Sequence, residues 1–276
     1  MLKKSLLIFL LSPIVIFILL FIIYPYINIL VNSFKTQWTN EWTLKNWKNV
    51  FTYPQYINAL KNSILFAGSS TLISAIFGSL IGWISLRLSD KSIDTIRSIF
   101  SIPMTLSGLV VAFSFMVLLG RSGIYNTLVS LLGLEFLHFN LYSWEGLLVV
   151  YAFYNIPLFS ITMISIFRNL DISLVEAARN LGANRIQTWI HVIIPNLAPG
   201  FVAATALVFA SMMGAFGTAL ALTGLSKILL SLLIWSTASE SNFNIPQANA
   251  LAILLGLTIY ITLYIFMKIE KKLKGE

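Results

Sequence analysis

The amino-acid sequence predicts an all-α membrane protein with six transmembrane helices. Three observations predict it. Hydrophobic residues make up 58% of the 276-residue chain and charged residues 10%, against about 25% charged in an average soluble protein. The apolar residues fall into six long runs, each near the ~20 residues a helix needs to cross ~30 Å of hydrocarbon. No segment alternates with the ten-residue rhythm of a membrane β-strand. The same composition excludes other classes. An aromatic content of 13% excludes a disordered chain, and the absence of cysteine excludes a disulfide scaffold and a thiolate metal site. The net charge of +8 fits basic loops on one side of a membrane better than a nucleic-acid partner.

The six predicted spans are 6–30, 64–86, 98–119, 146–167, 196–222 and 248–267. The first follows Lys3 and Lys4, as a secretory leader would. Its apolar run is too long for a leader and no small-residue cleavage site closes it, so it is expected to remain as a span. Pro13 and Pro25 are expected to kink it. Counting Lys and Arg orients the spans. Lys3, Lys4, Arg87, Lys91, Arg97, Arg168, Arg179, Arg185, Lys268, Lys271, Lys272 and Lys274 fall on one side. Lys35, Lys45, Lys48, Lys61, Arg121 and Lys227 fall on the other, over longer loops. Both termini are therefore predicted to be cytoplasmic, with external loops near 31–63, 120–145 and 223–247. Cytoplasmic loops fall near 87–97 and 168–195. Trp42, Trp47, Tyr53, Tyr56, Tyr142, Trp144 and Trp235 lie outside or at the external boundary, where amphipathic rings are favoured.

The spans are expected to lack an ionisable residue at depth, which argues against a proton relay and a voltage sensor. A phosphate-binding loop needs two glycines and a Lys-[Ser/Thr] pair. The nearest approach, Gly224-Leu225-Ser226-Lys227, lacks the second glycine and the final hydroxyl. His138 and His191 are predicted on opposite sides of the membrane and cannot share a metal. The chain is therefore expected to be non-catalytic, with transport driven by a gradient or by another subunit.

The loop 168–195 reads RNLDISLVEAARNLGANRIQTWIHVIIP. Ser173 and Glu176 have capping-box spacing, so a helix is expected to start there. Leu174, Ala177, Ala178 and Leu181 form one apolar stripe, and Gly182 ends it in the position of a left-handed cap. Ile186, Trp189, Ile190 and Ile193 form a second stripe, which Pro195 is expected to close. Two short amphipathic helices around a glycine turn result. Such helices can rest on lipid headgroups, but the small pair Ala177-Ala178 suits the close approach of another protein.

This segment resembles the EAA loop of permease subunits of binding-protein-dependent ABC importers. Glu176-Ala177-Ala178 is followed after three residues by Gly182, and nine further residues lead to Val192-Ile193-Ile194-Pro195. Val192 and Ile194 depart from the family's Ile and Leu, conservatively. Six spans with both termini inside also suit the type I ABC importer permease fold. The resemblance implies a first helix and external loop over 1–60, a core of five helices over 61–267 with the coupling loop at about 168–195, and a basic tail over 268–276. It implies that Glu176, Ala177 and Ala178 meet a groove of an ATP-binding subunit, with Gly182 setting the turn. Arg179 and Arg185 would flank that turn, and Pro195 would end the motif. Glu176 has a second reading as a helix cap. The implied partners are two ATP-binding cassette subunits, a second permease (the same chain or a sister chain), an external solute-binding protein and membrane lipid. ATP and Mg would sit on the partner ATPase, with no cofactor on this chain. The implied location is the bacterial plasma (inner) membrane, as a multi-pass protein.

The solute path is less defined in the residues. Asn155, beside Pro157 in mid-span, is either a path residue or an interhelical hydrogen-bonding group. Pro157 can open its helix locally. Ser211, Met213 and Phe216 lie mid-span beside Gly214 and Gly217, where a gate, a bend or close packing would each suit the residues. Ser107 beside Gly108 carries the same ambiguity. The stretches Tyr154-Asn155-Ile156-Pro157 and Phe216-Gly217-Thr218 look like permeases of the polyamine, iron(III), thiamine and 2-aminoethylphosphonate importers. The alternative to a permease subunit is a self-sufficient secondary transporter or channel, expected to show an inverted repeat with broken helices. A third reading, a membrane-embedded enzyme, would need paired acids or histidines at the membrane surface.

Overall fold

The computed structural model describes residues 4–226, 229–239 and 243–274, with side chains between residues 11 and 273 of those ranges. Lys3 and Lys227 from the basic count lie outside the described residues, as do the side chains of Lys4 and Lys274. In chain order the helices are α1 (Lys4–Ile18), α2 (Tyr24–Ser33), α3 (Lys45–Thr52), α4 (Pro54–Ser85), α5 (Asp90–Thr105), α6 (Gly108–Leu119) and α7 (Ile124–Leu131). They continue with α8 (Trp144–Arg168), α9 (Ile172–Asn180), α10 (Arg185–Thr188), α11 (Ile194–Met213), α12 (Gly217–Thr223), α13 (Leu230–Ala238) and α14 (Ile245–Lys274). Among the described residues the extended structure is one isolated bridge, Lys35 to Trp42.

Six helical segments are long and apolar enough to cross a membrane: Leu11–Ser33, Pro54–Ser85, Gly108–Leu131, Trp144–Arg168, Arg185–Met213 and Ile245–Leu273. They match the six expected spans in number and order but differ at several ends, the third running on through α7 to Leu131 instead of ending at 119. The second begins about ten residues early, so Lys61 lies two turns inside α4. Its polar first turns extend a helix whose apolar part begins later. The third span does not start at residue 98. Leu106 and Ser107 are extended, and the Ser107 hydroxyl accepts from the Val110 amide to start α6 afresh. Residues 98–105 belong to α5, which begins at Asp90. The fifth span does not run unbroken to residue 222. It ends at Met213, and α12 restarts at Gly217 after a three-residue break. Its start also lies earlier, because α10 passes through a π-helical turn, Trp189–Ile193, directly into α11.

That turn explains why Pro195 does not close the second short helix. A proline ring clashes with the carbonyl four residues back. Opening one turn moves the bond to the fifth residue, so the Ile194 amide donates to the Trp189 carbonyl and the helix continues. Pro25 has the same effect. The Tyr24 amide donates to the Leu19 carbonyl, and a π turn over Leu19–Ile23 joins α1 to α2. Pro157 opens nothing: α8 is continuous, and the proline is buried in it.

The chain divides into two compact units, one of residues 1–60 with 229–257, the other of residues 61–228 with 258–276. In the first, Val50, Tyr56, Ala59, Leu230, Ala250 and Leu251 form a buried cluster. Beside it, buried Gln247 donates to the Asn46 carbonyl at 3.1 Å and accepts from Asn49 Nδ2 at 3.0 Å. Asn46 Nδ2 in turn donates to the carbonyls of Ser33 and Lys35, both at 2.9 Å. The apolar side chains of the first span stay exposed, with none of its core window buried, as suits a helix facing lipid or a neighbouring protein.

In the second unit α8 is the buried axis. Gly78 and Gly82 of α4 stand one turn apart and let its backbone close on α8. A Cβ at Gly78 would lie 2.8 Å from Phe159, and one at Gly82 would lie 2.8 Å from Met163. This is the small-xxx-small seam of membrane helix pairs. Buried Asn155 ties three helices, donating to Ser70 Oγ of α4 at 2.8 Å and to the Met212 sulfur of α11.

Candidate coupling loop and solute path

Helix α9 starts at Ile172, one residue before the expected Ser173. Asp171 is its N-cap, and its carboxylate accepts from the Ser173 amide at 2.9 Å. Glu176 therefore closes no capping box on Ser173, and stands exposed. The capping box lies one helix later, where Asn184 and Gln187 exchange reciprocal bonds at 2.9 Å to start α10. The Ser173 hydroxyl and then the Ser173 amide hold the Asp171 carboxyl below the usual aspartate range. A lowered folded-state pKa stabilises the loop at any pH above the unfolded value, and that contribution is lost as pH falls through the lowered one. Asp171 is expected to titrate below an ordinary aspartate by carboxyl NMR, and Ser173→Ala to move it upward. No change on Ser173→Ala would refute the cap.

Gly182 ends α9 at φ +85°, as expected. The Ala183 amide donates to the Ala178 carbonyl at 3.0 Å and the Gly182 amide to the Arg179 carbonyl at 2.9 Å. These are the two bonds of a Schellman turn, whose left-handed residue favours glycine. Most of α9 is left exposed, with Val175 and Ala178 its half-buried positions. Leu174, Glu176 and Ala177 are exposed, and Leu181 just beyond it is 89% exposed. Arg179 and Arg185 are exposed too, and both line a cavity beside α9. Thr188, by contrast, is buried, donating to the Asn184 carbonyl at 2.9 Å.

The two helix breaks meet at a second cavity of about 360 Å³. Asn155, Ser211 and Phe216 line it, together with Tyr151, Tyr154 and Thr218, which sequence reasoning had not singled out as path residues. Met213 is buried in packing, and Ser107 serves as the cap of α6. Thr218 donates to the Gly108 carbonyl at 3.1 Å, and Tyr151 Oη accepts from the Ala219 amide at 3.2 Å. The breaks thus hold each other through polar groups they free. Tyr154 Oη is buried on the side of Thr218. The cavity's lining contains no Asp, Glu, Lys, Arg or His. The signal for the first break was legible, since a Ser-Gly pair opening an apolar run is an N-cap pattern. The second break has no side-chain cap, and only Gly214 and Gly217 hint at it.

The fold is that of ABC importer permeases. It matches a chain of the bacterial alginate ABC transporter, solved with an alginate-bound periplasmic protein, at a TM-score of 0.80, with 19% identity over 98% of this chain and 95% of that one. A chain of the MetNI methionine ABC transporter matches at 0.60, with 15% identity over 79% of this chain and 95% of the other. In sequence, the sulfate transport system permease protein CysT of Salmonella typhimurium is 27% identical, over 86% of this chain and 82% of its own. The spermidine/putrescine transport system permease protein PotB of Haemophilus influenzae is 28% identical, over 91% and 88%. The molybdenum permease ModB of Escherichia coli is 28% identical over 61% of this chain and 72% of its own. Residues 74–272 match the family of binding-protein-dependent transport system inner membrane components, and the chain belongs to that family. It is a multi-pass permease subunit of an ABC importer. The broken helices, a mark expected of the secondary-carrier alternative, therefore occur here within a permease.

Proposed function

We propose that this chain forms half of a translocation path for a small hydrophilic solute handed over by an external binding protein. In this reading α9 is the coupling helix. The observation that carries it is the exposure of Leu174, Glu176, Ala177 and Leu181 beside the Schellman turn at Gly182. Exposed leucines beside a small alanine suit a protein groove. An ATP-binding cassette subunit with its ATP and Mg fills that role, and the core over about 61–267 pairs with a second permease, a copy or a sister chain. The basic tail from 268 and both termini then face the cytoplasm of a bacterial inner membrane.

The solute meets the uncharged cavity at the helix breaks, on Asn155, Ser211, Phe216, Tyr154 and Thr218. Its neutrality supports selection by the binding protein. Relatives named for sulfate, an anion, and for spermidine and putrescine, cations, match this chain to the same degree. A path without fixed charge suits passage of a preselected solute of either sign, including the polyamine, phosphonate, iron(III) and thiamine types.

Orientation is the direct test. The chain has no cysteine, so each engineered thiol is unique. Cysteines near residues 45, 140 and 235 are expected to react with an impermeant maleimide in intact cells. Cysteines near 90 and at Asn180 are expected to react only after permeabilisation. Labelling of Asn180→Cys in intact cells would place α9 outside and end the coupling reading.

A further inference from the structure

Beside α9, on the side of Val175 and Arg179, lies a cavity of about 1020 Å³. Four guanidinium groups line it, those of Arg87, Arg168, Arg179 and Arg185, and no carboxylate does. Arg168 is ion-paired with Asp90. Arg87, Arg179 and Arg185 make no ion pair among the described residues. Like charges gathered around one volume repel, and the field they set up is relieved by an anion within it.

The rest of the lining is apolar and graded. Trp83, Phe167 and Ile193 contribute to it from within the membrane helices, whereas Arg87, Arg168 and Arg185 stand at or just past the ends of those same helices. The Arg87 guanidinium lies 5.3 Å from the Trp83 ring centroid, and Trp83 meets Trp189 edge-on at 6.1 Å. Stacking fixes the guanidinium plane, and a guanidinium's fork of donors matches phosphate oxygens. A basic rim over an aromatic and aliphatic floor fits an amphiphile with a phosphate head.

We infer that this cavity binds the phosphate of an anionic phospholipid, its head held by Arg87, Arg179 and Arg185 and its acyl chains lying on the exposed Trp83 and Leu86. Free phosphate shares the head chemistry but leaves the apolar floor uncovered. Because Arg179 belongs to α9, the lipid braces that helix from the side. The inference rests on the cavity alone and not on what docks to α9.

The test is native mass spectrometry of the full chain given equal phosphatidylglycerol and phosphatidylcholine. The wild-type protein is expected to retain phosphatidylglycerol over phosphatidylcholine. The R87Q/R179Q/R185Q variant is expected to lose that preference by at least about tenfold, the loss expected of one charge-assisted bond. A K48Q/K271Q/K272Q variant, with the same charge removed elsewhere, is expected to keep it. Single Arg→Gln variants and a melting curve for each separate loss of binding from loss of fold. Equal retention of both lipids, or an unchanged preference in the triple variant, would overturn the site. Displacement of the lipid by millimolar inorganic phosphate would overturn the lipid assignment in favour of a soluble phosphate.

Discussion

Solute uptake is expected to fall to background in Ala177→Trp and in Gly182→Val, with both proteins still inserted in the membrane. The two changes act on different parts of one device. Ala177 is exposed on α9. In the proposed coupling, a tryptophan's bulk would stand where the ATPase groove closes. Gly182 sits at φ +85° with open space where a Cβ would go, so the cost of a valine there is conformational and not steric crowding. A β-branched residue at positive φ costs about 1–2 kcal/mol or more, and the Schellman bonds that aim Leu181 outward would be lost. Ala178 is the poorer probe, because it is half-buried and its enlargement would disturb the loop itself. Glu176→Ala is informative for the opposite reason. Asp171 caps α9, so removing Glu176 leaves the helix intact and reports only the docking contact. The measurements are uptake of the solute delivered by the external receptor and co-purification of the ATPase. Normal transport and a retained ATPase in Ala177→Trp would reduce α9 to an interfacial helix.

The loop was the most legible part of the chain because its signals are local. A glycine at a helix end and an apolar stripe at helical spacing need no knowledge of the rest of the molecule. The cap was misjudged for a related reason: Asp171 and Ser173 both have capping side chains two residues apart, and only the backbone decides between them. The spans were legible as apolar windows, but hydropathy cannot distinguish one continuous helix from two that meet in mid-membrane. The breaks at Leu106–Ser107 and Gly214–Phe216 are stabilised by contacts distant in sequence, such as Thr218 with Gly108. The cavity they enclose was half legible for the same reason. Asn155, Ser211 and Phe216 stood out as polar or bulky groups beside glycines. Tyr151 and Thr218 became site residues only when α8 and α12 were brought together. Thr188 stands off both apolar stripes of the loop and is nonetheless buried by tertiary packing. The Gly78-x-x-x-Gly82 seam was written openly in the sequence, and its meaning rested on which helix faced it.

Within α4, two glycines separated by fourteen residues are expected to respond to alanine with opposite sign. At Gly68 nothing lies within 4 Å of an added Cβ. Gly68→Ala removes a flexible residue from a helix interior and is expected to be neutral or to stabilise by up to about 1 kcal/mol. At Gly82 an added Cβ would lie 2.8 Å from Met163 Cβ and 3.1 Å from the Met163 backbone carbonyl carbon. Neither atom is the free end of a side chain, so α4 and α8 must separate along their seam. Overpacking of this kind costs about 1–3 kcal/mol, and Gly82→Leu should exceed Gly82→Ala. The effect reaches function through Asn155, whose bond to Ser70 at 2.8 Å joins the same two helices beside the 360 Å³ cavity. Prising the seam open lengthens that bond and loosens the lining that Asn155 shares with Ser211. Melting temperature in detergent and uptake in proteoliposomes should therefore fall together in the order Gly68→Ala, Gly82→Ala, Gly82→Leu. A Gly82→Leu protein that melts and transports like wild type would mean that α4 and α8 do not pack at this seam.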